Sequence, residues 1–355
     1  MISRFGISVY LSTGIEVNRE IINKAKSDGF NLIFTSFHIS EENAFNNIEN
    51  ISNLINLCKE EEMFLCADVS IETLNILNIS SLEELYNIGL SCVRFDYGID
   101  LSTMVTLSKK HFVMINASNI SEEILDEYEK AGMNFSNVIA AHNFYPKSHT
   151  GLSLEYVSEI NTLCKRRGLK TLAFVPGFKV ARGPIYEFLP TIESHRTEPL
   201  LVSLMEHCFS ANTDYVLIGD IKYEDNLNED IKYILNDVVL LEADFFEDKF
   251  TDIMLGTHFS NRKDLSSDTI RISQTRDNDK YKFDASPNMT NNRCEVGDIV
   301  LSNTSYLRYT NEVEIVLKSF IQNGKLNVIG RVNPPYIKCL KYISNKRSFR
   351  FISDS

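Results

Sequence analysis

No apolar run in this 355-residue sequence approaches the roughly 18 residues that a membrane-spanning helix needs. No charged stretch leads into an apolar one at the N-terminus. Arg4-Phe5-Gly6-Ile7-Ser8-Val9-Tyr10 reads as a strand at once, so a secretion signal is not expected. Acidic residues outnumber basic ones, 48 to 36, and the formal net charge is −12. Nucleic acids and anionic membranes are bound through a positive field and are therefore not expected as partners. A small anionic ligand needs only a few local arginines. The seven cysteines (Cys58, Cys66, Cys92, Cys164, Cys208, Cys294 and Cys339) are odd in number, and no two lie at metal-ligand spacing. They read as buried free thiols in a reducing compartment, and the location expected is the cytoplasm. HExxH, CxxC, Walker and nucleophile-elbow patterns are all missing, so no metal, nucleotide or other cofactor is expected.

What is present is a repeat of a short apolar run, a polar loop and an amphipathic stretch. Eight runs read as strands: Phe5–Tyr10, Leu32–Phe37, Phe64–Val69, Cys92–Tyr97, Phe112–Ala117, Val138–His142, Thr171–Val175 and Tyr215–Asp220. Each is apolar on both faces, as in parallel strands covered on both sides. Gly29, Gly89, Gly132 and Gly168 stand where a helix should stop before the next strand. Eight such units predict an α/β fold, a closed (β/α)8 TIM barrel over residues 1–235. The rival, a doubly wound open sheet, usually carries a GxGxxG loop after its first strand; here Leu11-Ser12-Thr13-Gly14 follows. From 236 to 355 the helical pattern nearly vanishes. Runs such as Val238–Phe246, Asp298–Leu301, Leu326–Arg331 and Ser348–Ile352 predict a small all-β barrel, with Arg276–Arg293 as a long polar loop.

Barrels of this kind carry their active sites at the C-terminal ends of the strands. The residues expected there are Tyr10, Ser36 and His38, Asp68 and Ser70, Arg94-Phe95-Asp96-Tyr97, Asn116 and Ser118, and His142-Asn143-Phe144-Tyr145. Arg182, Tyr186 and Glu187 follow strand 7, and Asp220 ends strand 8. An Asp at a strand end serves either chemistry or the capping of the next helix, and after Asp68 the cap could instead be Ser70. Arg94 and Asp96, two apart, share one face of their strand. That face is either the barrel interior or the helix layer, and the two residues make either a site or a structural ion pair. Asp68 and Asp96 on neighbouring strands suit the two-carboxylate chemistry of glycoside cleavage, although the pattern alone does not select sugars over other acid–base reactions. The tyrosines Tyr10, Tyr97, Tyr145 and Tyr186 either stack on a sugar or fill the barrel top. Arg182, before the rigid Gly183-Pro184, is either a phosphate contact or a solvated loop residue.

Several strings resemble one bacterial family: Gly6-Ile7-Ser8-Val9-Tyr10, Ala67-Asp68-Val69-Ser70, Arg94-Phe95-Asp96-Tyr97-Gly98, His142-Asn143-Phe144-Tyr145-Pro146, Arg182-Gly183-Pro184-Ile185-Tyr186-Glu187, His195-Arg196, Ile218-Gly219-Asp220 and Tyr306-Leu307-Arg308-Tyr309. The chain resembles the 6-phospho-N-acetylmuramidases over nearly its whole length. That resemblance implies a TIM barrel followed by a cyclophilin-like β barrel. It also implies hydrolysis of the disaccharide N-acetylmuramic acid 6-phosphate–N-acetylglucosamine during intracellular cell-wall recycling. Asp68 and Asp96 would then be the catalytic pair and Arg182 a phosphate contact. Arg94, Asn116, His142, Asn143 and Tyr145 would hold the sugar and its lactyl group, with Tyr10, Tyr97, Tyr186 and Asp220 completing the binding set. Two rivals are a phosphosugar aldolase or epimerase, which would need a Schiff-base Lys or a metal, and a non-catalytic phosphosugar sensor.

Overall fold

The computed structural model describes residues 2–37, 47–95, 99–225, 227–276, 278–288, 292–344 and 347–353. It divides into two compact units, Met1–Asn228 and Glu229–Ser355.

In the first unit the strands are β1 (Phe5–Ser8), β2 (Leu32–Ser36), β3 (Phe64–Val69), β4 (Cys92–Phe95), β5 (Phe112–Asn116), β6 (Val138–Ala141), β7 (Lys170–Val175), β8 (Phe178–Val180), β9 (Tyr215–Ile218) and β10 (Lys222–Tyr223). Eight of them close into an all-parallel barrel in the order β1-β2-β3-β4-β5-β6-β7-β9, while β8 and β10 form a small separate ribbon. The eight sequence-predicted strands are thus the eight barrel staves. Helices α1 (Ile15–Ser27), α2 (Ile48–Glu60), α3 (Ile71–Leu77), α4 (Leu82–Ile88), α5 (Leu101–Ser108), α6 (Glu122–Lys130), α7 (Leu154–Arg166) and α8 (Leu200–Phe209) lie between the strands, and α9 (Leu227–Leu235) runs across the boundary into the second unit. Gly29, Gly89, Gly132 and Gly168 all have positive φ, from +85° to +129°, which ends each helix and turns the chain into the next strand.

Strand alternation divides each stave between interior and helix layer. Leu32 and Phe34, Cys66, Cys92, Met114, Ile139 and Ala141, Leu172 and Phe174, and Leu217 form one buried cluster. The rings of Phe34 and Phe174 meet edge to face at 5.3 Å. Gly6 is where β1 comes closest to its neighbours: a Cβ there would lie 2.2 Å from the Leu32 carbonyl oxygen and 2.6 Å from Leu217. All seven cysteines are buried and free, and burial alone pushes the Cys58 thiol up to about 12.

The second unit holds β11 (Val238–Phe245), β12 (His258–Phe259), β13 (Thr269–Arg271), β14 (Arg293–Cys294), β15 (Asp298–Ser302), β16 (Val313–Val316), β17 (Phe320–Ile321), β18 (Leu326–Val332) and β19 (Ser348–Ile352). Seven of these make one sheet, β12-β19-β11-β18-β15-β16-β13. A bridge between Asn261 and Ile272 links the chain after β12 to the end of β13, bringing the two edges together. Phe259, Phe349 and Phe351 are buried against one another with ring centroids 5.5–5.8 Å apart. The segment expected as a polar loop is partly built in: Tyr281 sits in a 3-10 turn and is buried.

Candidate active site

The interior alternation continues upward from the apolar cluster. Two residues beyond Cys66 comes Asp68, beyond Cys92 Arg94, beyond Met114 Asn116 and beyond Ala141 Asn143. These polar side chains therefore form the layer above the barrel core, at the C-terminal ends of β3 to β6. Register places Asp68 opposite Arg94 and Ser36 opposite Asp68.

Asp68 and Arg94 form the central contact. Nη1 of Arg94 donates to both carboxylate oxygens, at 3.0 and 2.8 Å, and both side chains are 13% exposed. The other terminal nitrogen, Nη2, donates to Asn143 Oδ1. Arg94 thus faces the interior and ties β3 to the end of β6. Asp68 is not a helix cap: Ser70 holds the N-cap position of α3, and its N–H donates to Thr73 Oγ1 at 3.2 Å. That leaves the carboxylate of Asp68 directed at the guanidinium. Asp96, Tyr97 and His38 lie outside the described residues.

Asn116 accepts a hydrogen bond from Ser118 N at 2.9 Å, which shapes the turn after β5. Ser118 Oγ lies 3.4 Å from the hydroxyl of Tyr145. Tyr10 is buried, donates its hydroxyl proton to the Gly219 carbonyl, and lies beneath the Arg182 guanidinium, 4.7 Å from the ring centroid. Tyr186 is 68% exposed.

A match to a model of the 6-phospho-N-acetylmuramidase N-terminal region spans residues 5–233, and a match to the C-terminal region of the same enzymes spans 239–352. The chain belongs to the 6-phospho-N-acetylmuramidase family. Among solved structures, it is similar to a conserved Enterococcus faecalis protein of unknown function. Identity is 29%, 99% of this chain and 97% of that one are covered, and the TM-score is 0.83. An uncharacterized B. cereus protein shares the fold at 24% identity, with 99% and 100% of the two chains covered and a TM-score of 0.81. No curated protein matches the chain.

Two residues expected to bind substrate in this 6-phospho-N-acetylmuramidase family member have other duties. His142 follows Ala141, an interior residue, and so points out of the barrel. It is completely buried, and its Nε2 pairs with Asn161 of α7 at 2.9 Å. Burial lowers its pKa below the ordinary histidine value, so it is a neutral structural residue behind the mouth. Asp220 is also buried, and its carboxylate accepts the N–H of Gly177 at 2.9 Å and of Arg182 at 3.2 Å. Burial raises its pKa, with those N–H donors opposing the rise. Its role is to anchor the β7 loop, in which Phe178, Tyr186 and Phe188 all adopt positive φ.

Glu193 is unmarked in the sequence, and Arg196 stands there only within a family-like string, with no role attached. Arg196 donates to the carbonyls of Glu187 and Phe188 at 2.6 and 3.0 Å, and to those of Tyr145 and Lys147 at 2.9 and 3.3 Å. It also forks onto Glu193 at 2.8 and 2.9 Å. Glu193 in turn accepts the N–H groups of His149 and Gly151 at 2.8 and 2.7 Å. Arg196 first, then these backbone donors, hold the Glu193 carboxyl down to about 2. One ion pair thus fastens the loops after β6 and β7, which carry Tyr145, Arg182 and Tyr186. Glu193 and Arg196 stand i,i+3 in a 3-10 turn, a spacing visible in sequence, but their backbone partners lie up to 51 residues away.

Proposed function

We propose that the chain is a glycoside hydrolase that cleaves N-acetylmuramic acid 6-phosphate–N-acetylglucosamine inside the cell, during peptidoglycan recycling. The observation that carries this reading is the Asp68–Arg94 pair at the barrel mouth of a 6-phospho-N-acetylmuramidase family member. A carboxylate clasped by a guanidinium favours the ionised form. Asp68 is therefore the group that attacks the anomeric carbon or activates water. Asp96, two residues after Arg94 in sequence, is the partner that protonates the leaving oxygen. Positive charge building on the sugar ring in the oxocarbenium-like transition state is stabilised by the Asp68 carboxylate, which Arg94 and Asn143 hold in place.

Arg182 is the proposed phosphate contact, because its planar fork suits two phosphate oxygens and its position after β7 is where this fold often binds phosphate. Asn116, Asn143 and Tyr145 face the sugar, and Tyr186 offers an exposed ring at the rim. The test is to offer the 6-phosphorylated disaccharide beside its unphosphorylated twin and analyse the products. Cleavage of the phosphorylated form alone supports both the glycosidase and its phosphate pocket. Binding of the phosphorylated form without any product would replace the hydrolase by a sensor.

A further inference from the structure

Away from the barrel mouth, three ligand-bearing side chains converge where the 3-10 turn Glu193–Arg196 meets α8. One ligand atom from each of His195, Glu198 and Glu206 lies within 4.8 Å of the other two. His195 and Glu206 are buried, their side chains 0% and 2% exposed, and Glu198 is half-buried. His195 Nε2 stands 3.2 Å from Glu206 Oε2. Two ligands held at roughly 2.0–2.1 Å around a tetrahedral zinc ion are about 3.3 Å apart, so this edge has the right length. Nδ1 of His195, in a side chain with no solvent exposure, makes no hydrogen bond among the described residues.

A second imidazole stands beside the first. His207 is completely buried and its ring centroid is 5.0 Å from that of His195. Its Nδ1 lies 3.0 Å from Thr213 Oγ1, and its Nε2 makes no hydrogen bond among the described residues. No sequence motif marks this set, because Glu206 reaches His195 only once α8 folds back on the turn.

We propose that His195, Glu198 and Glu206 bind a divalent transition-metal ion of the zinc class. Imidazole and carboxylate donors without thiolate suit Zn2+, and two carboxylates offset its charge in a buried place. The ion would join the turn to α8. His195 sits between Glu193 and Arg196, the pair that fastens the β6 and β7 loops, so the metal braces those loops from behind. This inference does not depend on the proposed glycosidase activity.

The test uses the full-length chain, free of any histidine tag. Metal content is measured after purification without chelator, and Zn2+ is then added back to chelator-treated protein while melting temperature and zinc-edge X-ray absorption are recorded. The expected result is about one zinc per chain, a rise in melting temperature on adding Zn2+, and a nitrogen/oxygen shell at about 2.0–2.1 Å. Glu198→Gln, at the half-buried position, should fold normally and weaken zinc binding by at least about tenfold, and Glu206→Gln should do the same. Three results would each overturn the site: no retained zinc together with no thermal response, a sulfur shell near about 2.3 Å (showing that cysteines hold the ion), or unchanged zinc affinity in both variants.

Discussion

Arg94 reaches both oxygens of Asp68 from a single nitrogen, at 2.8 and 3.0 Å, because the β3–β4 register sets the two residues directly opposite one another. Everything proposed for the barrel mouth depends on that pairing.

Asp68→Asn keeps the shape and removes the charge. Turnover of the phosphorylated disaccharide should fall by about 10³-fold or more, with the far-ultraviolet circular dichroism unchanged. Near-normal turnover in a folded variant would remove Asp68 from the chemistry.

Arg196→Lys retains a positive charge but cannot span four carbonyls and a carboxylate with one ammonium. The side chain is 9% exposed, so solvent replaces the lost bonds poorly. Stability should drop by about 2–4 kcal/mol in denaturant titration, and KM should rise more than kcat falls, since the loops hold substrate. Equal stability of variant and parent would show that the clamp is redundant.

Acidification should weaken the fold through two buried histidines. His142 and His207 are both held below the ordinary value of 6.5, burial being the first cause for each. In the folded state they stay neutral while the unfolded chain takes up protons, so the unfolded state binds more protons below about 6.5. Stability is therefore complete above that value and declines as the pH falls beneath it, by up to about 1.4 kcal/mol per pH unit for each histidine. A second loss belongs to Glu193, whose depressed pKa of about 2 means that its contribution fades as pH falls from the ordinary 4.5 toward 2. Chemical unfolding from pH 7.5 to 5 reads the first window. His142→Gln, away from the His195 cluster, should flatten the slope, and an unchanged slope would assign it to other groups.

Gly6→Ala adds a single methyl group where the Leu32 carbonyl oxygen would be 2.2 Å away. A backbone oxygen of the neighbouring stave cannot swing aside as a flexible side chain can. The cost should be about 3 kcal/mol or more, read as a lower melting temperature or as loss of soluble protein. A variant as stable as the parent would mean that β1 can shift against β2.

Much of the fold was legible because a barrel repeats one local instruction eight times. The apolar runs at Leu32–Phe37, Phe64–Val69 and Thr171–Val175 and the glycine stops at Gly29 and Gly168 are short-range signals that tertiary contacts reinforce. The strand-end positions of Asp68 and Arg94 were equally legible. The direction of a strand-end side chain was not. A stave apolar on both faces gives no sign of which parity looks inward, so His142 and Asn143 were indistinguishable as site residues until barrel closure turned one toward α7 and the other toward Arg94. The surroundings of Asp220 were hidden for a related reason: an acid at a strand end looks alike in sequence whether it faces the barrel mouth or, as here, the backbone N–H groups of its own loop.

The sequence by itself determined the number of staves, their order, where helices end, and which residues stand at the strand tips, since each of these follows from periodicity and local backbone preference. Only the tertiary structure decided which tips face the interior, that Asp68 is paired with Arg94, that Glu193 and Arg196 fasten two loops, and that His195 meets Glu206. Those relations depend on register, closure and the return of a helix onto a turn. They bring together groups far apart in the chain, and no local pattern encodes that meeting.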